Sequence, residues 1–261
     1  MLAIVSPAKK LDFEPLDRPL DRPLAHSDPV FLDDAAALVK SAQKLTRGEL
    51  QQLMKLSDNL TDLNYQRFKG YATKPSPDQT KQAVMAFAGD TYTGLDAATL
   101  TDDDLAYGQD HLRILSGLYG LLRPLDMIQP YRLEMGKRLS NPRGADLYEF
   151  WDNQLAETID DIVAGHKAGV VINVASNEYF KAAREKVLKA RVITPVFKEI
   201  KNGEARVLGL FAKRARGSMA RYMIEHRIEY PEGLKAFDTG GYAYRDELSE
   251  GDSWVFTRVQ C

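Results

Sequence analysis

The sequence predicts a single α/β domain, of the α+β type, over residues 1–261, with a mixed central sheet flanked by helices. Short apolar runs typical of buried strands alternate along the chain with segments of helical periodicity. At 261 residues and 44% hydrophobic composition, the chain is long enough to bury a large core. No shift in composition marks a linker, so we expect one domain.

The individual elements follow from the apolar pattern and from the turn and cap residues between them. Asn202-Gly203 is a hairpin signal, and residues 30–70 are predicted to form a helical decoration of the domain. The predicted strands are 2–5, 83–88, 170–175, 191–197, 206–212 and 254–259. The predicted helices are 31–45, 46–56, 58–68, 146–164 and 213–227, and a further helix begins at 101–104.

Several classes of protein are excluded by composition. No run approaches the ~20 apolar residues of a membrane span, and the first residues predict a strand followed by a polar turn, not a signal peptide. The single cysteine, Cys261, fits a reducing compartment, so we expect a cytoplasmic protein. The four histidines show no ligand spacing, so we predict no metal site and no cofactor. The proline-rich stretch 15–29 predicts an extended surface loop.

Charge is segregated along the chain, although the net charge is only −2. Residues 111–143 carry 6 Lys/Arg against 2 Asp/Glu, and residues 181–227 carry 13 against 4. Two basic blocks on a nearly neutral chain favour a local anion-binding face. The alternative is that these charges belong to ordinary solvated faces.

The segment 111–137, HLRILSGLYGLLRPLDMIQPYRLEMGK, mixes glycines, prolines, tyrosines and charges in a way that an ordinary core element does not need. Glycine is used where backbone turns with positive φ or approaches a ligand closely. Exposed amides of such a turn can hold an anion, with Arg113, Arg123 and Arg132 nearby in sequence. The alternative is a tight connection between helices with solvated arginines.

A second basic cluster lies at Lys213, Arg214 and Arg216, where the sequence predicts a loop that leads from a strand into a helix. Backbone donors, the helix dipole and guanidinium groups together suit a phosphate. The alternative is a surface helix whose arginines, including Arg221, pair with Glu225 and with the acidic blocks.

Three polar stretches follow predicted strands: SPAKK at 6–10, GDTYTG at 89–94 and NVASNEY at 173–179. Ligands of open α/β sheets gather at the carboxyl ends of strands, so these stretches are expected to converge on one cleft. Asp90 and Glu178 then form a candidate acid/base pair. None of the three stretches matches a phosphate-binding loop pattern by itself.

These stretches, together with NPRGADLYEFW, KNGEARVLGLFAKRARGSMARYMI and FDTGGYAY, closely resemble the YaaA peroxide stress family, in order, from the first strand to about Tyr244. The resemblance implies a bacterial cytoplasmic protein that limits hydrogen peroxide damage by lowering available intracellular iron. It also implies a DNA-binding protein with an unusual single-domain α/β fold, a basic cleft and a helix-hairpin-helix element.

By this resemblance, residues 102–135 are expected to form the helix-hairpin-helix element, with a helix over 102–115 and a hairpin over 116–120. Such hairpins usually have two glycines separated by one residue, whereas Gly117 and Gly120 are separated by two. Pro124 and Pro130 limit any second helix. The predicted DNA-binding residues are Lys9, Lys10, Arg113, Ser116, Gly117, Tyr119, Gly120, Arg123, Arg132, Lys213, Arg214, Arg216 and Arg221.

Two functions remain open at this point. In the first, the protein is a peroxide-stress protein that binds the DNA backbone non-specifically through a basic cleft, with no membrane and no obligate protein partner. In the second, it is an enzyme acting on a nucleobase, a nucleotide or a nucleic-acid end, because carboxylates in a basic pocket suggest chemistry. The candidate catalytic residues are Lys9, Asp90, Arg132, Glu134 and Glu178. Direct iron binding is disfavoured by the absence of a ligand pattern.

Overall fold

A computed structural model describes residues 1–15 and 25–259 of the chain. The predicted proline-rich loop at 15–29 lies mostly outside the described residues, as does Cys261. In the described part, one hydrophobic core extends from Met1 to Phe256. The chain is thus a single α/β domain, as the sequence predicts.

The strands of this domain form a central mixed sheet and two small ribbons. The strands are β1 (Leu2–Val5), β2 (Lys10–Leu11), β3 (Lys81–Gln82), β4 (Phe87–Ala88), β5 (Leu112–Ser116), β6 (Gly120–Leu122), β7 (Met127–Ile128), β8 (Val170–Val174), β9 (Arg191–Lys201), β10 (Glu204–Arg206), β11 (Ala243–Glu250) and β12 (Ser253–Val259). The central sheet has the order β11-β12-β9-β8-β1-β5-β6, with β10 paired to β9. β2 pairs with β4, and β3 pairs with β7.

The middle of the sheet is parallel and the two edge strands are antiparallel. β1 lies between β5 and β8, with Val5 in register with Ile114 on one side and Val174 on the other. β8 and β12 flank β9 in parallel, whereas β6 and β11 run antiparallel to their neighbours. Every residue of β1 and β8 is buried, as expected for parallel strands covered on both faces. The polar stretches after β1 and β8 therefore leave the sheet at the same edge.

Ten α-helices in the described residues flank this sheet. They are α1 (Leu32–Gln43), α2 (Arg47–Met54), α3 (Asp58–Lys69), α4 (Ala83–Ala86), α5 (Asp90–Leu95), α6 (Asp102–His111), α7 (Leu147–Trp151), α8 (Gln154–Ala164), α9 (Asn177–Phe180) and α10 (Gly209–Glu225). Short 3₁₀ turns occupy Pro77–Gln79, Ala97–Thr99, Lys181–Ala183, Pro231–Ala236 and Thr239–Gly241. α1, α2 and α3 confirm the helices predicted within 30–70.

The prediction of a helix-hairpin-helix element over 102–135 is wrong. α6 ends at His111, and the chain then forms β5, a tight turn and β6, which pair as a β-hairpin at the edge of the sheet. Ser116 pairs with Gly120 across this turn. The residues after β6 contain the short strand β7 and no helix before α7. The apolar residues of 112–122 all lie in the core, so burial in the sheet prevails over the helical pattern.

Three other sequence predictions differ from the structure. Residues 83–88 form α4 followed by β4, not one strand. A short apolar run has no periodicity that distinguishes a buried helix from a buried strand. Residues 209–212 are the first turn of α10, so neither the predicted strand 206–212 nor the predicted loop 213–216 is present. The predicted helix 146–164 is divided into α7 and α8 at Asp152, which has φ 42°.

Helices α5 and α10 cross with their backbones in contact. A Cβ atom on Gly217 would lie 1.8 Å from Thr91 O, and a Cβ atom on Gly94 would lie 2.0 Å from Arg214 O. Neither position tolerates a side chain at these distances. The crossing places the first half of α10 beside the start of α5, next to the carboxyl end of β1.

Candidate functional site

A polar cleft of about 440 Å³ opens where the strands β1, β4 and β8 end. Its walls come from residues 6–10, 88–92 and 174–179, together with Lys213 and Arg216 of α10. The three polar stretches that follow predicted strands in the sequence therefore converge, as expected for an open α/β sheet. The basic cluster of α10 joins them because α10 crosses α5 at Gly217.

Ser6 connects the two sides of the cleft through hydrogen bonds. Its Oγ accepts the backbone N–H of Ser176 at 2.8 Å, which links the end of β1 to the end of β8. The Tyr92 hydroxyl donates to Ser6 O at 3.1 Å, which links β1 to α5. Burial raises the pKa of Tyr92 well above its ordinary value, so this phenol stays a neutral donor. The floor of the cleft is thus held in one geometry by local bonds.

Three cations of the cleft have no ionic partner among the described residues. Lys10 and Lys213 are exposed and Arg216 is half-buried, and within 1–15 and 25–259 no carboxylate pairs with any of them. Burial lowers the pKa of Arg216 below its ordinary value, although the guanidinium remains charged at neutral pH. A half-buried guanidinium without an anion is costly, and an anionic ligand would relieve that cost.

A buried carboxylate lies directly behind the cleft. Glu134 is 4% exposed, and its Oε1 is 3.2 Å from Arg132 Nη2 and 3.5 Å from Lys9 Nζ. Lys9 also lines the cleft and is exposed there. Glu134 Oε2 and Arg132 Nε are buried and have no hydrogen-bond partner among the described residues. Buried polar atoms without partners are uncommon and mark places where a water or a ligand is expected.

The remaining candidate carboxylates lie in the cleft itself. Glu178 lines it, and its Oε1 accepts the backbone N–H of Gly136 at 3.1 Å, two residues after Glu134. Asp90 begins α5 and lines the cleft on the side of α10. The five candidate catalytic residues are thus brought together: Lys9, Asp90 and Glu178 line the cleft, whereas Arg132 and Glu134 lie behind Lys9.

The residues of the β5–β6 hairpin lie in the interior, away from the cleft. The Ser116 Oγ accepts the N–H groups of Leu118 and Tyr119 at 3.2 and 2.8 Å, so these turn amides are already bonded. A Cβ on Gly117 would lie 2.3 Å from Leu133 O. Gly120 has φ 68° and packs beneath a tryptophan ring. Ser116, Gly117, Tyr119 and Gly120 therefore serve packing and turn formation.

Three predicted DNA-binding arginines bond within the protein. Arg113 is buried and donates to Gln109 O at 2.6 Å, and burial lowers its pKa to about 10. Arg123 Nε is 3.0 Å from an Asp126 oxygen. Arg221 pairs with Glu225 at 2.8 Å. For this arginine the structure agrees with the alternative stated from the sequence, in which arginines of a surface helix pair with Glu225. None of the three is among the residues that line the cleft.

Sequence reasoning missed how Tyr92, Gly94 and Gly217 build the cleft. The hydroxyl of Tyr92, within GDTYTG, bonds to Ser6 O, which is 86 positions away in the sequence, so no local pattern indicates the contact. Two glycines inside helices are a signal of close helix crossing, and they connect GDTYTG with the basic stretch of α10.

The described residues form neither a metal-binding cluster nor a helix that could span a membrane. Within the described residues, no group of three or more His, Cys, Asp or Glu side chains is placed to hold a metal ion. Over the same ranges, no helix combines the length and the apolar character that crossing a bilayer requires.

Comparison with known proteins identifies the family. A family model described as "Peroxide stress protein YaaA" matches residues 1–248. A UPF0246 protein of Shewanella sp. (strain ANA-3) is 52% identical over 258 residues, 99% of either chain. UPF0246 proteins of Alteromonas mediterranea and Ralstonia nicotianae are each 50% identical, over 260 and 258 residues, with 99% or more of this chain and 99% of theirs covered. The chain therefore belongs to the YaaA peroxide stress protein family.

Proposed function

We propose that the protein acts in the cytoplasm during peroxide stress by binding DNA non-specifically through the cleft, and that it helps to limit iron-dependent oxidative damage. Membership of the peroxide stress family supports the stress-related part of this role. The unpaired cations at the cleft support the DNA-binding part. The single observation that carries it is Arg216, a half-buried guanidinium without an ionic partner in the described chain.

The proposed contact is with phosphates, which every DNA sequence presents alike, so cations that bind them do not discriminate between sequences. Lys10 and Lys213 are exposed and line the cleft with Arg216, so a phosphate backbone lying across its mouth meets several positive charges; Arg214 is exposed on α10 but does not line the cleft. The interface omits the β5–β6 hairpin, whose turn amides are bonded to Ser116. It requires neither a protein partner nor a membrane.

The salt dependence of DNA affinity tests this proposal. The wild-type protein is expected to bind DNA of any sequence with an affinity that falls steeply between 50 and 200 mM salt. Replacing Lys213 and Arg216 together by Gln removes two phosphate contacts, so the slope of log K against log[salt] should fall by about 2.

The matched control changes the same amount of charge elsewhere. Lys40 and Lys44 are exposed on and just after α1 and do not line the cleft, so Lys40→Gln with Lys44→Gln should leave the slope within experimental error. Equal slopes for wild type and for the Lys213/Arg216 variant would show that DNA does not contact the cleft.

The proposed link to iron requires a cellular measurement. Cells that carry the Lys213/Arg216 variant are compared, after peroxide treatment, with cells that carry the wild-type protein or the Lys40/Lys44 control. If DNA binding limits iron-dependent damage, DNA lesions and chelatable iron should rise only with the first variant. Unchanged levels with a variant that no longer binds DNA would separate the two parts of the proposal.

A second candidate function is supported by the carboxylates. The protein is proposed, alternatively, to be an enzyme acting on a nucleobase, a nucleotide or a nucleic-acid end. Binding phosphates does not require Glu178 in the cleft or Glu134 behind it, and acidic groups beside lysine and arginine are typical of acid/base sites. Incubation with nucleotides and DNA substrates, with and without divalent metal, tests whether the protein is an enzyme. Turnover by the wild type that is lost in Glu178→Gln would support an enzymatic function. No turnover of any substrate would contradict it.

A further inference from the structure

We propose that the cleft binds one nucleotide end-on, with its phosphate against Arg216 and Lys213 and with an amino-bearing base directed to Glu178. This inference rests on the proposed function and names the ligand of the same site. The shared chemistry is that of a nucleoside monophosphate, whether it is free in solution or forms the end of a DNA strand. The base is guanine, adenine or cytosine in preference to uracil or thymine.

The size of the cleft favours a single nucleotide. Its volume of about 440 Å³ lies in the range of sites that enclose small ligands. The walls are fixed by the bonds of Ser6 to Ser176 and Tyr92, so the cleft is already formed before a ligand binds. A duplex can lie across the mouth of such a cleft, but only one nucleotide can enter it.

The cations Lys213 and Arg216 and the carboxylate of Glu178 enter the cleft from different elements. Lys213 and Arg216 project from α10, which packs on α5. Glu178 lies after β8 on the other wall and is bonded to Gly136. A polyanion inside the cleft would meet this carboxylate, so the ligand that fits has one anionic end and hydrogen-bond donors at the other. Asp90, at the start of α5, is an acceptor for a sugar hydroxyl between these ends.

A buried carboxylate lies behind Lys9. Glu134 is 4% exposed and its Oε2 has no partner in the described residues, while Arg132 Nε beside it also lacks one. Leaving a buried acceptor unpaired costs about 1–3 kcal/mol, so this oxygen, which lies behind Lys9, indicates a buried water that bonds to it. The exposed ammonium of Lys9 is 3.5 Å from the other oxygen of Glu134 and borders the cleft.

The preference for an amino-bearing base follows from what a carboxylate can do. An ionised carboxylate only accepts hydrogen bonds. Guanine, adenine and cytosine present exocyclic amino groups, whereas uracil and thymine present carbonyl oxygens at the corresponding positions. The carboxylate of Glu178, which lines the cleft, therefore attracts the first group of bases and repels the carbonyl oxygens of the second.

The binding of small ligands at fixed ionic strength tests the inference. The probes are GMP, AMP, CMP, UMP, the corresponding nucleosides and inorganic phosphate, each measured by calorimetry. At least one amino-bearing nucleotide is expected to bind tenfold or more tightly than UMP, its nucleoside and inorganic phosphate. Equal affinity for all four nucleotides and for phosphate would overturn the inference, since the cleft would then be an anion site without a base pocket. No binding of any nucleotide would also overturn it.

Two variants separate the ends of the ligand. Arg216→Gln should lower the affinity for nucleotides about tenfold and leave the affinity for nucleosides unchanged. Glu178→Gln should lower the affinity for the preferred nucleotide, so that this nucleotide binds less than threefold more tightly than UMP. Glu178 is exposed, so this variant should fold as the wild type does, which circular dichroism checks. Unchanged discrimination between nucleotides in Glu178→Gln would contradict the assignment of the base end.

Circular DNA and strand ends distinguish this inference from the proposed function. A covalently closed circle offers backbone phosphates and no terminal nucleotide, whereas a 5′-phosphorylated linear strand offers both. If the circular DNA binds, but neither free nucleotides nor strand ends displace it from the protein, only the end-on inference fails. If nucleotides bind and the circle does not, the DNA-backbone proposal fails. Competition by the phosphorylated end, and not by free nucleotide, assigns the ligand to a strand terminus.

Discussion

Gly217 of α10 lies against the carbonyl oxygen of Thr91 in α5, and a Cβ atom at this glycine would lie 1.8 Å from that oxygen. The contact holds the basic half of α10 against the polar stretch after β4. Because Lys213 and Arg216 reach the cleft from this helix, the geometry of the site depends on two helices that touch through glycine backbone.

We predict that Gly217→Ala lowers the free energy of unfolding by about 2–4 kcal/mol, because either helix has to move to admit the methyl group. Urea denaturation measures the change. Affinity for DNA should fall in the same variant under conditions in which it remains folded, since α10 carries two of the cleft cations.

The control for this prediction is another glycine of the same helix. A Cβ on Gly209, the first residue of α10, meets no atom within 4 Å. Gly209→Ala should therefore leave stability unchanged or raise it by up to about 1 kcal/mol, since alanine favours a helix over glycine. Equal losses at positions 209 and 217 would contradict the role assigned to the α5–α10 contact.

The cleft could be predicted from sequence because each of its stretches follows an apolar strand. Leu2–Val5 and Val170–Val174 are fully buried strands, and parallel strands bring their polar exits to one edge. The third stretch follows β4, which occupies only the last two residues of the predicted strand 83–88. The rule that ligands bind at the carboxyl ends of strands therefore located the third stretch correctly, although residues 83–86 form a helix and not part of the predicted strand.

The function of 111–122 could not be predicted from its residue types. Gly117 is required by a contact with Leu133 O, and Ser116 bonds to the turn amides and to the Tyr131 hydroxyl. These partners are distant in sequence or depend on the turn geometry, so neither spacing nor charge indicates them. The resemblance identified the family correctly, but a helix-hairpin-helix element is not present in the described residues of the chain.

A second prediction concerns the buried carboxylate behind the cleft. Glu134→Gln removes the negative charge between Arg132 and Lys9, and Arg132 is mostly buried. Stability should fall by about 1–3 kcal/mol, less than for a fully buried ion pair because Lys9 is solvated. Thermal or urea unfolding measures the loss. Glu185→Gln, at an exposed position, is the matched control and should change stability by less than about 0.5 kcal/mol.

A third prediction concerns acid sensitivity at the end of the sheet opposite the cleft. The rings of His111 and His166 stack at a centroid distance of 4.6 Å. Burial lowers the pKa of His166 to about 4, with further contributions from the amino terminus, His111 and Arg113, opposed by Asp110. Burial also lowers the pKa of His111, which Asp110 and Glu229 oppose.

The sign of the pH dependence follows from these directions. The unfolded chain protonates His166 near its ordinary pKa of 6.5, whereas the folded chain does so near 4, so stability should fall as the pH is lowered from 6.5 to 4. The loss is about 1–2 kcal/mol after allowance for solvent screening of this partly exposed ring. Urea unfolding at pH 7 and pH 5 measures it. His166→Gln should reduce the dependence, and His226→Gln, at an exposed position, should not.

A fourth prediction concerns the late FDTGGYAY stretch, which has a structural role. The Tyr242 hydroxyl donates to the carboxylate of Glu199, which is 2% exposed and also accepts Arg258 Nε at 2.8 Å. Tyr242→Phe should cost about 1–2 kcal/mol, because it leaves a buried carboxylate with one donor fewer. Tyr244 bonds to Asp246 at the surface, so Tyr244→Phe is a control with an expected change below about 0.5 kcal/mol. Equal effects in a denaturation experiment would contradict the importance of this network.

The central claim is that DNA contacts the cleft and not the β5–β6 hairpin. Acetylation of lysines, followed by mass spectrometry with and without DNA, tests it most directly, because Lys10 and Lys213 are exposed at the cleft whereas Lys40 and Lys44 lie with α1. The account predicts that DNA protects Lys10 and Lys213 at low salt, that 200 mM salt removes much of this protection, and that Lys40 and Lys44 react equally in both samples. Unchanged reactivity of Lys10 and Lys213 in a sample in which the DNA is fully bound would contradict it.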